Sequence, residues 1–349
     1  MKRTFYLALL LAGLGACRQQ APAPAAPATW ALLPYGAPLL TSFGEVQFAS
    51  PQTGWITGGY VNNQTYSATL LTTHDGGTTW ARLPMRPLTL NGFLTLSPVS
   101  EQVVFAVGVS PAVGGLPGAD SRAVYKSLDG GASWQELPGA GFGGSFHLHF
   151  FDERTGLSFK NQRIQKTIDG GASWQNTYSP STGGDLNLTA FPAPAVGYAG
   201  GGTVTTGITG GMFSVGTLLK TTDQGTTWQA LAWPHQAITS LTFLSSSVGF
   251  AATYPDHHLY KTTDGGATWQ LVNAQLPAVA KGQFTSEQEG HFAEGQSIYS
   301  TSDGGQTWQQ AYQVSPNSIY SASINSLCFP SDRVGYAVTA DGQVLKSTK

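Results

Sequence analysis

Thr73-His74-Asp75-Gly76-Gly77-Thr78-Thr79-Trp80 is the stretch on which the fold turns. Asp and Gly build tight turns, because the carboxylate accepts backbone N–H bonds and Gly takes positive φ at no steric cost. Trp80 then opens a strand with a large apolar face to bury. The same signature, Ser/Thr-x-Asp-x-Gly-x-Ser/Thr-Trp, returns at residues 127–134, 167–174, 221–228, 262–269 and 301–308. Self-similarity on this scale marks a repeat architecture with one supersecondary unit per copy. The aspartates of the copies, Asp75, Asp129, Asp169, Asp223, Asp264 and Asp303, are therefore read as turn builders, since six equivalent carboxylates around a repeat cannot all be catalytic. The second Gly is present in every copy, whereas Gln224 replaces the first in the fourth. The second position is thus expected to need the left-handed backbone, and the first not.

A second pattern precedes most copies. A Phe is followed six positions later by Gly and then by an aromatic or aliphatic residue: Phe48 with Gly54-Trp55, Phe150 with Gly156-Leu157, Phe191 with Gly197-Tyr198, Phe243 with Gly249-Phe250 and Phe329 with Gly335-Tyr336. Phe284 with Gly290-His291 follows the same rule, and the second repeat departs from it with Leu96 and Gln102. The eight-residue signature resembles the Asp box, or BNR repeat, of sialidases, some glycan hydrolases and the photosystem II stability and assembly factors. The whole repeat is most similar to the assembly-factor group, and the similarity runs over residues 29–349. It implies an all-β propeller.

Counting the repeats fixes the ring. Thr29-Trp30-Ala31-Leu32-Leu33-Pro34 reads like the strand after a signature, as Thr79-Trp80-Ala81-Arg82-Leu83-Pro84 does, but no signature precedes it. The last repeat stops just before its Trp strand, with Val344-Leu345-Lys346-Ser347-Thr348 matching Leu218-Leu219-Lys220-Thr221-Thr222. The two incomplete pieces make one unit. The reading is a seven-bladed β-propeller of four-stranded blades, about 46 residues each, in which the N-terminal strand completes the last blade and hides two sheet edges. Strand A should end at the Phe, B start at the Gly, C end at the signature and D start at the Trp, with helix close to absent.

Charged residues make up only 10% of the chain and the net charge is −2. That balance excludes the basic stripe of a nucleic-acid binder. Met1-Lys2-Arg3 followed by an apolar run from Phe5 to Leu14 is a leader too short to span a bilayer. Leu14-Gly15-Ala16-Cys17 resembles a bacterial lipobox, which implies a signal peptide over residues 1–16 and lipid on Cys17. Residues 17–28 are then a Pro/Ala-rich tether and 29–349 the propeller. The expected location is the cell envelope, lipid-anchored outside the cytoplasm at the periplasmic face or outer membrane, where several acyl chains hold more firmly than one. Cys328 is the other cysteine, so no intrachain disulfide forms if Cys17 is lipidated. Its apolar flanks make it a buried thiol.

Loops on a rigid scaffold carry binding. The long repeats are long between strands B and C, at residues 58–68, 108–122 and 200–216. Tyr60, Asn62, Asn63 and Tyr66 in the first offer stacking and hydrogen bonds. Arg86, Arg122, Lys160 and Arg163 are expected to gather on one sector of the same face, as a patch for an anion or an acidic partner. No metal site and no cofactor are expected. His147 and His149 share one side of a strand with no third ligand evident, and Asp256-His257-His258 sits in a tight hairpin. The residues point to a noncatalytic, membrane-anchored scaffold for a protein or peptide, similar to the assembly-factor propellers. The alternative is a glycan-binding or sialidase-like hydrolase. Against it, no Arg stands between Arg18 and Arg82, where the sialidase resemblance needs one. The carboxylates outside the signatures, Glu45, Asp120, Asp185 and Asp256, come from distant blades and offer no evident pair for glycoside hydrolysis.

Overall fold

The computed structural model describes residues 29–34, 41–62, 65–84, 90–110, 121–137, 146–160, 162–180, 184–206, 212–233, 236–277, 281–316 and 322–348. These form seven four-stranded antiparallel sheets and no helix. Blades 1 to 6 begin at the strands Thr41–Phe48, Gly92–Pro98, Phe146–Phe150, Leu186–Ala190, Ala237–Phe243 and Lys281–Phe284. Blade 7 begins at Ile324–Cys328 and takes its outermost strand from Thr29–Leu32, which pairs with Val344–Thr348 in the register Trp30 to Ser347 and Leu32 to Leu345. The ring of seven blades closed by its own N-terminal strand is as the repeats imply. The boundaries also follow the pattern, except that the outer strands of blades 1 to 6 start one residue after the Trp and are as short as Ala81–Arg82.

The Phe–Gly pattern now has a physical reason. In every blade but the second, where Pro98 faces Val104, a Phe at the end of the inner strand lies over the Gly that opens the next one. A Cβ on Gly156 would sit 2.4 Å from the Phe150 ring, and one on Gly249 2.7 Å from Phe243. The ring then packs outward on the preceding blade. Phe150 stacks on Phe105 at 3.5 Å, Phe243 on Tyr198 at 3.4 Å and Phe284 on Phe250 at 3.7 Å. Each junction is thus sealed by aromatic surface, the largest apolar area available per residue. A Lys just before the signature covers the same ring, as Lys126 does over Phe105 and Lys220 over Tyr198, at 5.2 and 5.3 Å.

The six Asp turns share one bonding scheme. In the first, Thr73 Oγ1 donates to Asp75 Oδ1 at 2.8 Å, while Thr79 N and Thr79 Oγ1 donate to the two carboxylate oxygens at 2.9 and 2.7 Å. Bonds to the charged form hold the Asp75 carboxyl down at about 2, the Thr79 backbone N–H contributing most. The expectation about the glycines needs correction. Both positions are left-handed, with Gly76 at φ 63° and Gly77 at 72°, and Gln224 accepts the first position at φ 58°. What makes the second position strict is space as well as backbone. A Cβ on Gly225 would lie 2.7 Å from Leu157, and one on Gly77 2.5 Å from the Tyr336 ring.

Candidate binding site

The inner strands surround a central cavity of about 420 Å³. It is built by a repeated irregularity. Five of the seven inner strands carry a β-bulge at the same height, between Phe43 and Val46, Phe93 and Thr95, Leu186 and Leu188, Ile238 and Ser240, and Ile324 and Ser326. A bulge inserts one extra residue and re-aims its side chain. The residues inserted here, Gly44 with Glu45, Leu94, Asn187, Thr239 and Asn325, all line the cavity. Lys281, the first residue of the inner strand of blade 6, joins them.

Polar side chains at this height also tie neighbouring blades together. Leu96 N donates to Glu45 Oε2 at 2.8 Å, Asn325 Nδ2 to the Phe43 carbonyl at 2.7 Å and Ser240 Oγ to the Gly282 carbonyl at 2.8 Å. Glu45 Oε1 accepts from Gln47 Nε2 at 2.9 Å. Burial raises the Glu45 pKa above the usual carboxylate value, while these bonds and the charge of Lys281 pull it the other way. Desolvation lowers the Lys281 ammonium, and Glu45 opposes that. On blade 3, His147 Nε2 lies 2.9 Å from Thr189 Oγ1, and His149 stacks on Phe191 at 4.2 Å. Burial holds these two imidazoles down at about 4 and about 3. They pack against the next blade, and no group of three metal-ligating side chains occurs among the described residues.

By sequence, no protein-family model matches the chain, and no curated protein does. Solved structures share its fold. A structure of YCF48 bound to D1 peptide superposes with a TM-score of 0.65 at 18% identity, covering 93% of this chain and 96% of that one. YCF48 from Cyanidioschyzon merolae gives 0.63 at 18% identity, over 91% and 98%. The GH74 xyloglucanase from Xanthomonas campestris gives 0.57 at 14% identity, over 89% of this chain and 59% of that enzyme. The resemblance of the repeat to the assembly-factor propellers therefore extends to the three-dimensional fold.

The residues singled out in the sequence are placed as follows. Arg122 stands one residue inside the outer end of the paired B and C strands of blade 2, opposite Val109. Lys160 and Arg163 face each other across the hairpin tip of blade 3. The three cations thus occupy the same end of adjacent blades, with Arg163 exposed. Tyr60 and Tyr66 lie on the strands Gly54–Asn62 and Thr65–Thr73, paired with Ser67 and Val61. Cys17, Asn63, Arg86 and Asp120 lie outside the described residues, as do residues 111–120 and 207–211 of the two other long hairpins. Cys328 is half-buried beside Phe48, and burial pushes its thiol up to about 12. Asp256 is engaged by Thr253 Oγ1 and lies 3.2 Å from His258 Nδ1.

Glu45 lines the central cavity. Sequence reasoning passed over Lys281, Asn187 and Asn325. The signal is present in the repeat: the positions three and four before the inner-strand Phe include Glu45, His147, Lys281 and Asn325, all polar. Of these, Glu45, Lys281 and Asn325 line the cavity, whereas His147 turns to Thr189 of the next blade.

Proposed function

We propose that the protein is a noncatalytic binding propeller that holds an acidic segment of a protein or peptide at the hairpin end of blades 2 and 3. The observation that carries this reading is the placement of Arg122 at the outer end of the paired B and C strands of blade 2 and of Lys160 and Arg163 at the hairpin turn of blade 3, the same end of adjacent blades. Cations displayed on rigid hairpins steer an acidic partner and fix its register. YCF48 holds a D1 peptide on the same fold, which supports a peptide as ligand. The cavity chemistry favours binding over hydrolysis. Glu45 is the one carboxylate lining it among the described residues, and both its oxygens already accept hydrogen bonds, whereas glycoside hydrolysis asks for two carboxylates flanking the bond. The leader and Leu14-Gly15-Ala16-Cys17 support lipid anchoring through Cys17 in the cell envelope.

Affinity capture from envelope extracts with the wild-type domain and with an Arg122→Glu/Arg163→Glu variant tests the reading. A partner with an acidic segment, lost on charge reversal and at high salt, is expected. Capture insensitive to both, or a glycan ligand with no protein, overturns it.

A further inference from the structure

The central cavity holds two opposite charges that do not meet. Glu45 enters from blade 1 and Lys281 from blade 6, with blade 7 between them. The Lys281 ammonium makes no ion pair or hydrogen bond with another described residue. It nevertheless lies close enough for each charge to act on the other. A carboxylate offers about four lone-pair sites. Gln47 and Leu96 take one on each Glu45 oxygen, so each oxygen keeps capacity for another donor.

The rest of the wall is mixed. Asn187 is exposed to the cavity, and Asn325 spends its amide N–H on the Phe43 carbonyl and keeps its oxygen. Leu94, set into the cavity by its bulge beside Glu45, is 43% exposed. A volume of about 420 Å³ falls in the range of small-molecule pockets, which are mostly apolar with a few placed polar groups. A simple anion suits Lys281 and is repelled by Glu45. A simple cation has the reverse difficulty. An uncharged apolar molecule strips water from both charges and returns nothing.

We infer that the central cavity binds a small zwitterion, an α-amino acid with an apolar side chain, with its ammonium on Glu45, its carboxylate on Lys281 and its side chain on Leu94. The gap between the two protein charges is where the ligand's own pair of charges fits. The bulges are what make the site: without them the residues set there would return to the strand alternation, and Leu94 and Asn187 would not face the cavity together. The site is separate from the hairpin tips, so loss of the acidic partner leaves it intact.

Isothermal titration of the full-length protein with L-leucine, N-acetyl-L-leucine and L-leucinamide tests the inference. L-Leucine is expected to bind, and each blocked derivative at least tenfold more weakly, a difference of about 1.4 kcal/mol. Lys281→Met is expected to erase the preference for L-leucine over its amide while the preference over the N-acetyl derivative survives. Glu45→Gln is expected to do the converse. Should Glu45→Gln fail to fold, since Glu45 Oε2 ties blade 1 to blade 2, Lys281→Met with the blocked ligands decides alone. Absence of binding up to about 10 mM L-leucine, equal binding of the blocked derivatives, or an undiminished preference for the free carboxylate in Lys281→Met overturns the assignment.

Discussion

Tyr336 of the last blade stacks on Phe48 of the first, ring centroids 4.4 Å apart and 21° from parallel, across the seam where the ring closes. The Tyr336 hydroxyl also donates to the Gly76 carbonyl in the Asp turn of blade 1, and Lys346 Nζ donates to the same oxygen at 2.6 Å. One side chain therefore contributes both apolar area and a directional bond to closure. Tyr336→Phe keeps the stack and leaves the carbonyl satisfied by Lys346, so the expected loss is about 1 kcal/mol. Tyr336→Ala removes a fully buried ring and is expected to cost about 3–5 kcal/mol. Urea unfolding of the two variants checks the split. Equal losses would mean that the stack adds nothing to closure.

The Phe over Gly arrangement predicts a steric result of a different kind. In Gly249→Ala the new methyl meets the Phe243 ring, which cannot retreat because Tyr198 lies 3.4 Å behind it and Trp269 closes its edge at 6.0 Å. Overpacking of this type costs about 1–3 kcal/mol. Trimming Phe243 to Leu in the same molecule relieves the clash, so the double variant should be more stable than the two single losses sum to. Strict additivity in thermal unfolding would show that the ring is not what forbids a side chain at position 249.

His149 gives a pH signature. Its imidazole lies flat against Phe191 of the next blade and edge-on to Phe151, and burial holds its pKa at about 3. The folded pKa is below that of an unfolded His, about 6.5. The buried neutral ring therefore contributes fully above pH 6.5, and its contribution is lost as the pH falls from there towards 3. The slope per proton reaches about 1.4 kcal/mol per pH unit. His149→Phe preserves the stack and removes the proton. Between pH 6.5 and 4 the wild type should lose stability more steeply than the variant. Parallel denaturation curves at pH 7, 6 and 5 would contradict this.

What the sequence reveals of this protein follows the repeat. The Asp signature, the Phe–Gly spacing and the two half-repeats at the ends are covalently local patterns. Each copy repeats the same local constraint, and the blade count and closure of Trp30 on Ser347 follow from them. The cavity is a different matter. Whether Asn187 or Leu94 faces the channel depends on a bulge, one residue inserted into a strand, and the bulged strands Gly92–Pro98 and Leu186–Ala190 carry no shared residue that announces it. Charge placement is intermediate. Arg122, Lys160 and Arg163 fall at the hairpin end of their blades as the sequence implies, because strand ends are legible. The cavity position of Glu45 is not legible in the same way, because its bulge leaves no mark in the local sequence.

The fourth Asp turn separates the two demands that its glycines meet. Gln224 holds a left-handed conformation at φ 58°, where an L-residue is disfavoured by roughly 1–2 kcal/mol, while Gly pays about half that in lost chain entropy. Gln224→Gly is therefore expected to stabilise the protein by about 0.5–1 kcal/mol. At Gly225, φ 77° brings the same backbone penalty to any replacement, and the side chain would also enter the space of Leu157, buried between blades 3 and 4. Gly225→Ala should lose at least 2 kcal/mol, the sum of strain and overpacking. The two substitutions sit side by side in one turn and move stability in opposite directions. A calorimetric comparison in which both are destabilising would show that Gln224 makes contacts outweighing its backbone strain.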